Sequence, residues 1–63
     1  MLKRLINKWV KIVYQDGSMI SVVEGNVEDY ETETKIILIL DDRSGKKIFV
    51  NTRYAYKIEE RNY

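Results

Sequence analysis

The residues with the most evident recognition chemistry lie near the end of this 63-residue chain, where tyrosines stand among basic side chains. Arg53 precedes Tyr54 and Tyr56. Small β-domains bind single-stranded nucleic acid by stacking bases on aromatic rings beside cationic groups. A second interpretation is core packing, because strands favour tyrosine. With the other basic and aromatic candidates, the predicted nucleic-acid-binding residues are Trp9, Lys11, Arg43, Lys46, Lys47, Arg53, Tyr54 and Tyr56.

The sequence contains few of the residue types that enzymes use for catalysis. The chain contains neither histidine nor cysteine, so the usual nucleophile and base pairs of enzymes are absent. Carboxylates are plentiful, but they cluster in polar turns, where burial does not tune their pKa. The acidic stretch 28–33 lacks the glycine and the spaced ligands of a calcium loop. We therefore predict a protein that is not an enzyme and that uses no metal and no cofactor.

The charge balance is nearly neutral, with 11 basic and 10 acidic residues. A strongly basic balance, the usual mark of a nucleic-acid-binding protein, is missing, although a locally basic face is compatible with these numbers. Residues 1–9 are interrupted by charge, unlike a secretory signal. No apolar run approaches the roughly 20 residues that cross a bilayer. These features predict one cytoplasmic domain over residues 1–63, with no membrane partner.

The hydrophobic pattern predicts a short N-terminal helix followed by five strands. The apolar stripe of the helix consists of Leu2, Leu5, Ile6 and Trp9. Asp16-Gly17 between apolar runs indicates a tight hairpin turn, and Gly25 inside the second strand indicates a bulge or a sharp bend. The strands are predicted at residues 8–14, 19–27 with an extension toward 30, 35–40, 47–50 and 54–59, with a 3₁₀ turn at 51–53.

Four stretches of the chain carry a resemblance to known small barrels: residues 5–12 with the Asp16-Gly17 turn, 24–30, 37–42 and 49–55. The first three resemble the start, the bent second strand and the third strand of Sm-like proteins, and the last resembles the closing motif of SH3 domains. The resemblance implies an all-β fold, a strongly bent, five-stranded SH3-like (Sm-like) barrel with a short N-terminal helix. It also implies RNA binding, but the Arg-Gly step and the Asn of the Sm RNA-reading loops are absent.

The third predicted strand is apolar on both faces. Ile36, Leu38 and Leu40 point one way, while Ile37 and Ile39 point the other. A single barrel buries only one face of a strand, so the second face needs a cover. The N-terminal helix is one candidate cover, and a second copy of the chain is the other, with a dimer as the simplest assembly. The predicted interface residues are Ile37, Ile39 and Leu5.

The residues therefore predict a non-catalytic binding module, and two functions stay open. The leading one is binding of single-stranded RNA or DNA with weak sequence specificity, with cations on phosphates and rings on bases. The alternative is a protein-interaction or self-assembly module, a homo-oligomer that uses an exposed strand edge and an apolar face. The Sm-like start favours the first function, and the near-neutral charge favours the second.

Overall fold

The computed structural model describes residues 2–61, which form two short 3₁₀ helices and five strands. The first 3₁₀ helix, Leu2–Leu5, precedes the sheet, and the second, Thr52–Tyr54, lies between the last two strands. The strands are β1 Trp9–Asp16, β2 Met19–Glu31, β3 Ile36–Asp41, β4 Lys47–Asn51 and β5 Ala55–Arg61. Within this part of the chain, no helix has the length and apolar character needed to cross a bilayer.

The five strands form one antiparallel sheet with the order β4-β3-β2-β1-β5. The prediction of an all-β, five-stranded fold is therefore confirmed. β4 and β5 are the two edge strands and do not pair with each other within residues 2–61, so the sheet is open. Closure of the sheet into a barrel stays a prediction.

The N-terminal helix is shorter than the apolar stripe predicts. It is a single 3₁₀ turn that ends at Leu5, and Trp9 already belongs to β1, where it pairs with Asn26 and Arg61. A short isolated helix is only marginally stable, and strand pairing on both sides of Trp9 outweighs it. The Asn7 N–H donates to the carbonyl of Val27 over 2.8 Å, which holds the connecting turn against β2.

The β1–β2 hairpin confirms the turn predicted from Asp16-Gly17. Asp16 pairs with Met19, so only Gly17 and Ser18 connect the two strands. Gly17 has a φ of +62°, the left-handed conformation that such a tight turn requires and that glycine adopts without strain. The turn fixes the register, and the register decides which residues of β1 and β2 face the core.

Strand β2 is long because it pairs with two neighbouring strands in succession. Its first part pairs with β1 as far as Asn26, and its second part pairs with β3 from Gly25 to Glu31. A Cβ atom on Gly25 would overlap the carbonyl oxygen of Leu40 and lie 2.9 Å from its carbonyl carbon. Glycine is therefore needed for close approach of the backbones. The bulge itself lies further along, at Glu28, where the register with β3 shifts.

The hydrophobic core lies on one face of the sheet and includes residues from the first 3₁₀ helix and from β1 to β4. The fully or almost fully buried residues are Leu5, Val10, Ile12, Val23, Val27, Tyr30, Ile37, Ile39 and Val50. No polar or charged residue among the described residues is buried. The tertiary structure of this small domain thus depends on aliphatic packing, which is the dominant favourable term in folding.

The predicted interface residues are core residues, and that prediction is wrong. Ile37 and Ile39 are 0% exposed, and Leu5 is 1% exposed. Ile37 lies opposite Tyr30 and Val50 in the sheet, so its side chain points into the same core. Their side chains are covered by their own chain and cannot contact a second one. The outward-facing residues of β3 are instead Ile36, Leu38 and Leu40, which are half-buried.

Candidate functional site

The predicted aromatic and basic residues near the end of the chain form an open groove. It is lined by residues from the end of β1, the second 3₁₀ helix and the start of β5. We call it the tyrosine groove; it encloses about 400 Å³ and is lined by Gln15, Arg53, Tyr54, Ala55 and Tyr56. Three residues of the predicted site, Arg53, Tyr54 and Tyr56, therefore lie together, as adjacent side chains of one surface.

The second 3₁₀ helix holds Arg53 and Tyr54 in place through hydrogen bonds at both of its ends. The side chain of Asn51 accepts from the Arg53 N–H at 3.0 Å and caps the first turn. Thr52 donates to the Lys35 carbonyl twice, from its backbone N–H at 2.8 Å and from its hydroxyl at 2.7 Å. The Ala55 N–H donates to the Thr52 carbonyl and closes the helix. This side of the groove is thereby anchored to the β2–β3 turn.

A β-bulge sets the direction of Tyr56. In the β1–β5 ladder Val13 pairs with Lys57 and Tyr14 pairs with Ala55, so Tyr56 is the extra residue between them. Bulges commonly redirect a side chain at the edge of a sheet. The Tyr56 hydroxyl donates to Oε1 of Gln15 at 2.5 Å, and this bond holds the phenol over the end of β1.

The two tyrosines of the groove face water. Tyr54 is 60% exposed and Tyr56 is 64% exposed, whereas Tyr30 in the core is 6% exposed. Arg53 is exposed as well, and its guanidinium forms no ion pair with a carboxylate of residues 2–61. The alternative interpretation, in which Tyr54 and Tyr56 pack into the core, is therefore wrong. Tyr14 is the half-buried tyrosine of this region, and burial together with the nearby carboxylates raises its pKa.

Trp9 lies at the opposite end of β1 and takes part in the fold. Its indole N–H donates to Oδ2 of Asp42 at 2.5 Å, and the Arg61 guanidinium lies 5.5 Å from its ring centroid. The first contact links β1 to the β3–β4 turn, and the second is a cation–π contact. Gln15 lies six residue positions after Trp9 in β1, which is about 20 Å along an extended chain. The structure does not bring Trp9 to the tyrosine groove.

The remaining predicted cations are also distributed over other surfaces. Lys11 is half-buried on β1 and lies between Glu24 and Glu59, its partners in the neighbouring strands. Lys47 forms an ion pair of 3.2 Å with Glu28. The β3–β4 turn exposes the two others, Arg43 and Lys46. These four cations thus form no continuous basic face with Arg53.

A second open groove lies on the outer face of β2, β3 and β4 and was not predicted. We call it the Phe49 groove; it encloses about 220 Å³ and is lined by Asp29, Tyr30, Glu31, Thr34, Ile36, Leu38 and Phe49. Phe49 is 70% exposed. The period-two alternation of β4 could have indicated this face, because Lys47 and Phe49 share one side of the strand and alternate with the more buried Ile48 and Val50. Gln15 of the tyrosine groove was also missed.

Two carboxyl groups outside both grooves have shifted pKa values, and hydrogen bonds explain both. The Ser44 hydroxyl donates to Asp41 at 2.8 Å and lowers the pKa of Asp41. The Arg4 guanidinium donates to Glu60 at 2.7 Å and lowers the pKa of Glu60. Both groups are therefore held ionised, which is the opposite of what a general acid needs at neutral pH.

Comparison with known proteins finds no matching family model, no matching curated protein and no matching solved structure. The functional interpretation therefore depends on the side chains themselves. The most informative of these are two exposed tyrosines beside a cation and an exposed phenylalanine beside two carboxylates.

Proposed function

We propose that this chain is a non-catalytic binding module that holds single-stranded nucleic acid in the tyrosine groove. The observation that carries this function is the pair of exposed rings, Tyr54 and Tyr56, beside the Arg53 guanidinium, which forms no ion pair within residues 2–61. Exposed aromatic rings beside a cation are the common means by which small domains bind single strands. In this proposal the open sheet curves as in the Sm-like and SH3-like small barrels that the sequence resembles.

The chemistry of binding follows from the three side chains. Each ring offers a face on which one base stacks, and stacking contributes about 1–3 kcal/mol per base. Arg53 neutralises a backbone phosphate. Lys57 follows Tyr56 in β5 but does not line the groove. It is a second candidate cation, because its ion pair with Glu59 at 3.3 Å is largely exposed and exposed ion pairs contribute little to stability.

Sequence specificity is expected to be weak, because few polar groups of the groove are free to read base edges. The Gln15 side chain already accepts from Tyr56, and its amide nitrogen donates to the Gly17 carbonyl at 2.7 Å. Stacking accepts any base, since every base has a π-face. The affinity should therefore change little with base identity and depend mainly on whether the nucleic acid is single-stranded.

A titration of labelled oligouridine and oligothymidine, each of about 12 nucleotides, tests this function by fluorescence anisotropy over a salt series. Two phosphate contacts predict a slope of about −1.4 for log K against log salt. Tyr54→Ala should weaken binding by about five- to 150-fold. Lys46→Ala is a matched control, because Lys46 is exposed in the β3–β4 turn outside the groove. Absence of binding in dilute salt contradicts the proposed function.

Self-assembly is a second candidate function and retains one supporting observation. β4 and β5 each have one edge without a partner strand within the described residues. Unpaired strand edges are templates for pairing with another chain. Light scattering coupled to gel filtration measures the mass directly, and a monomer of 7.5 kDa at high protein concentration would contradict a homo-oligomer.

A further inference from the structure

The Phe49 groove has an apolar floor built from residues that lie opposite one another in the sheet. Leu38 of β3 is paired with Phe49 of β4 on one side and with Asp29 of β2 on the other. Ile36 is paired with Glu31 in the same way. Side chains of directly paired residues lie on the same face of a sheet. The floor therefore consists of Ile36, Leu38 and Phe49, and the carboxylates form the β2 side.

Phe49 is the most exposed large hydrophobic residue among the described residues, at 70%. Its neighbours Ile48 and Val50 point toward the core, so its orientation follows from strand alternation and not from fraying. An aromatic ring held in water next to aliphatic side chains indicates a contact surface for a partner. Leu38 and Ile36 extend the apolar surface by their half-buried side chains.

The carboxylates around this groove favour a partner with a positive charge. Asp29 and Glu31 form no ion pair with a cation of residues 2–61. The Asp29 carboxylate accepts from the Tyr30 N–H at 2.8 Å, which fixes its position on the rim. Among the described residues, no basic side chain lines the groove, and the nearby cation Lys47 is paired with Glu28. Such a rim repels phosphates and attracts cations.

The size of the groove suits a few side chains of a peptide. Stable interfaces between folded proteins involve about 20–30 residues on each side. The Phe49 groove has seven lining residues and about 220 Å³. That space suits one or two side chains of an extended segment, which bind by inserting a few anchors into pockets.

We propose that the Phe49 groove binds a short extended segment of a partner protein that carries an apolar side chain next to a lysine or arginine. The apolar side chain lies on Leu38 and Phe49, and the cation pairs with Asp29 or Glu31. This site is separate from the tyrosine groove, and the two bind ligands of opposite charge.

The test uses a display library of random dodecapeptides, selected against the wild-type protein and counter-selected against Phe49→Ala. We expect Phe49-dependent enrichment of peptides with an apolar residue beside Lys or Arg. The enriched peptide should shift the backbone amide signals of Ile36, Leu38 and Phe49. Phe49→Ala should weaken it by about tenfold or more. Asp29→Asn with Glu31→Gln should weaken it by about threefold and remove its salt dependence.

Three outcomes would overturn this inference: enrichment of acidic peptides, no enrichment that depends on Phe49, or oligouridine shifting the Phe49 signal. A mass that rises with concentration in the wild-type chain but not in Phe49→Ala would also overturn it, because the occupant would then be a second copy. Tyr54→Ala must leave peptide affinity unchanged, since this site does not use the tyrosine groove. Phe49 is exposed, so its variant should keep the wild-type circular dichroism spectrum.

Discussion

The tyrosine groove and the Phe49 groove both present aromatic rings to water, yet they differ in charge and in how the chain builds them. The first lies at one edge of the sheet, contains Arg53 and depends on a 3₁₀ turn and a bulge. The second lies across β2, β3 and β4 and has Asp29 and Glu31 on its rim. The formal net charge of +1 therefore conceals two surfaces of opposite character. Overall charge alone is a poor guide to the partners of this chain.

The largest expected effect is a loss of fold stability that would remove both grooves at once. Gly25→Ala places a methyl group against the Leu40 carbonyl, where β2 passes from β1 to β3. A backbone overlap of this kind should destabilise the fold by about 3 kcal/mol or more. Gly17→Ala is the matched control: no atom of residues 2–61 outside the turn lies within 4 Å of the added Cβ, and only the positive φ costs about 1–2 kcal/mol. Thermal denaturation of both variants measures the difference, and equal melting temperatures would contradict it.

Substitutions at two adjacent residues of β4 distinguish a contribution to the stability of the fold from a contribution to binding. Val50 is 1% exposed and Phe49 is 70% exposed. Val50→Ala should destabilise the protein by about 2 kcal/mol through lost burial and a cavity. Phe49→Ala should change the free energy of unfolding by no more than about 0.5 kcal/mol. Urea denaturation measures both values. A large destabilisation by Phe49→Ala would show that the ring supports the fold, and the contrast between the grooves would weaken.

A smaller change in nucleic-acid affinity distinguishes the contribution of the Tyr56 ring from that of its hydroxyl. Tyr56→Phe removes the hydrogen bond to Gln15 but keeps the face on which a base stacks. Nucleic-acid affinity should fall by about twofold, compared with about five- to 150-fold for Tyr56→Ala. Anisotropy titrations at one salt concentration measure both. If the two variants lose the same affinity, the hydroxyl contributes the binding energy and stacking on Tyr56 does not occur.

The smallest expected effect concerns acid stability and leaves both grooves unchanged. The hydrogen bond from Arg4 lowers the pKa of Glu60 in the folded protein, so the ionised form is favoured by folding. The resulting stabilisation is present above the unfolded pKa of glutamate, about 4.3, and is lost as pH falls through the lower folded pKa. Glu60→Gln should flatten the fall in melting temperature below about pH 4.3. An unchanged pH profile in Glu60→Gln would contradict this linkage.

The sequence was most informative where one local pattern determines the structure. Asp16-Gly17 predicted the hairpin, since this turn needs a positive φ next to a polar residue. Five apolar residues in succession from Ile36 predicted a strand but did not show which face is the core, because alternation is absent there. The core face followed only from pairing with β2 and β4.

The tyrosine groove could be predicted only in part, for a related reason. Arg53, Tyr54 and Tyr56 are close in sequence, so their proximity was foreseeable. The exposure of Tyr56 was not, because the bulge at this residue interrupts the alternation of β5 and no residue type marks it. Trp9 was predicted twice, in the apolar stripe of the helix and in the first strand at 8–14, and pairing with Asn26 and Arg61 places it in the strand.

The two bonds that Thr52 donates to the Lys35 carbonyl join the two chain segments that lead into the two grooves. Thr34, one residue before Lys35, lines the Phe49 groove, and Arg53, one residue after Thr52, lines the tyrosine groove. We therefore expect a local opening of this joint to disturb both recognition surfaces together. Its frequency is measurable as hydrogen exchange of the Thr52 amide. A ligand in either groove that slows this exchange would favour occupancy of the other, by the reciprocity of coupled sites.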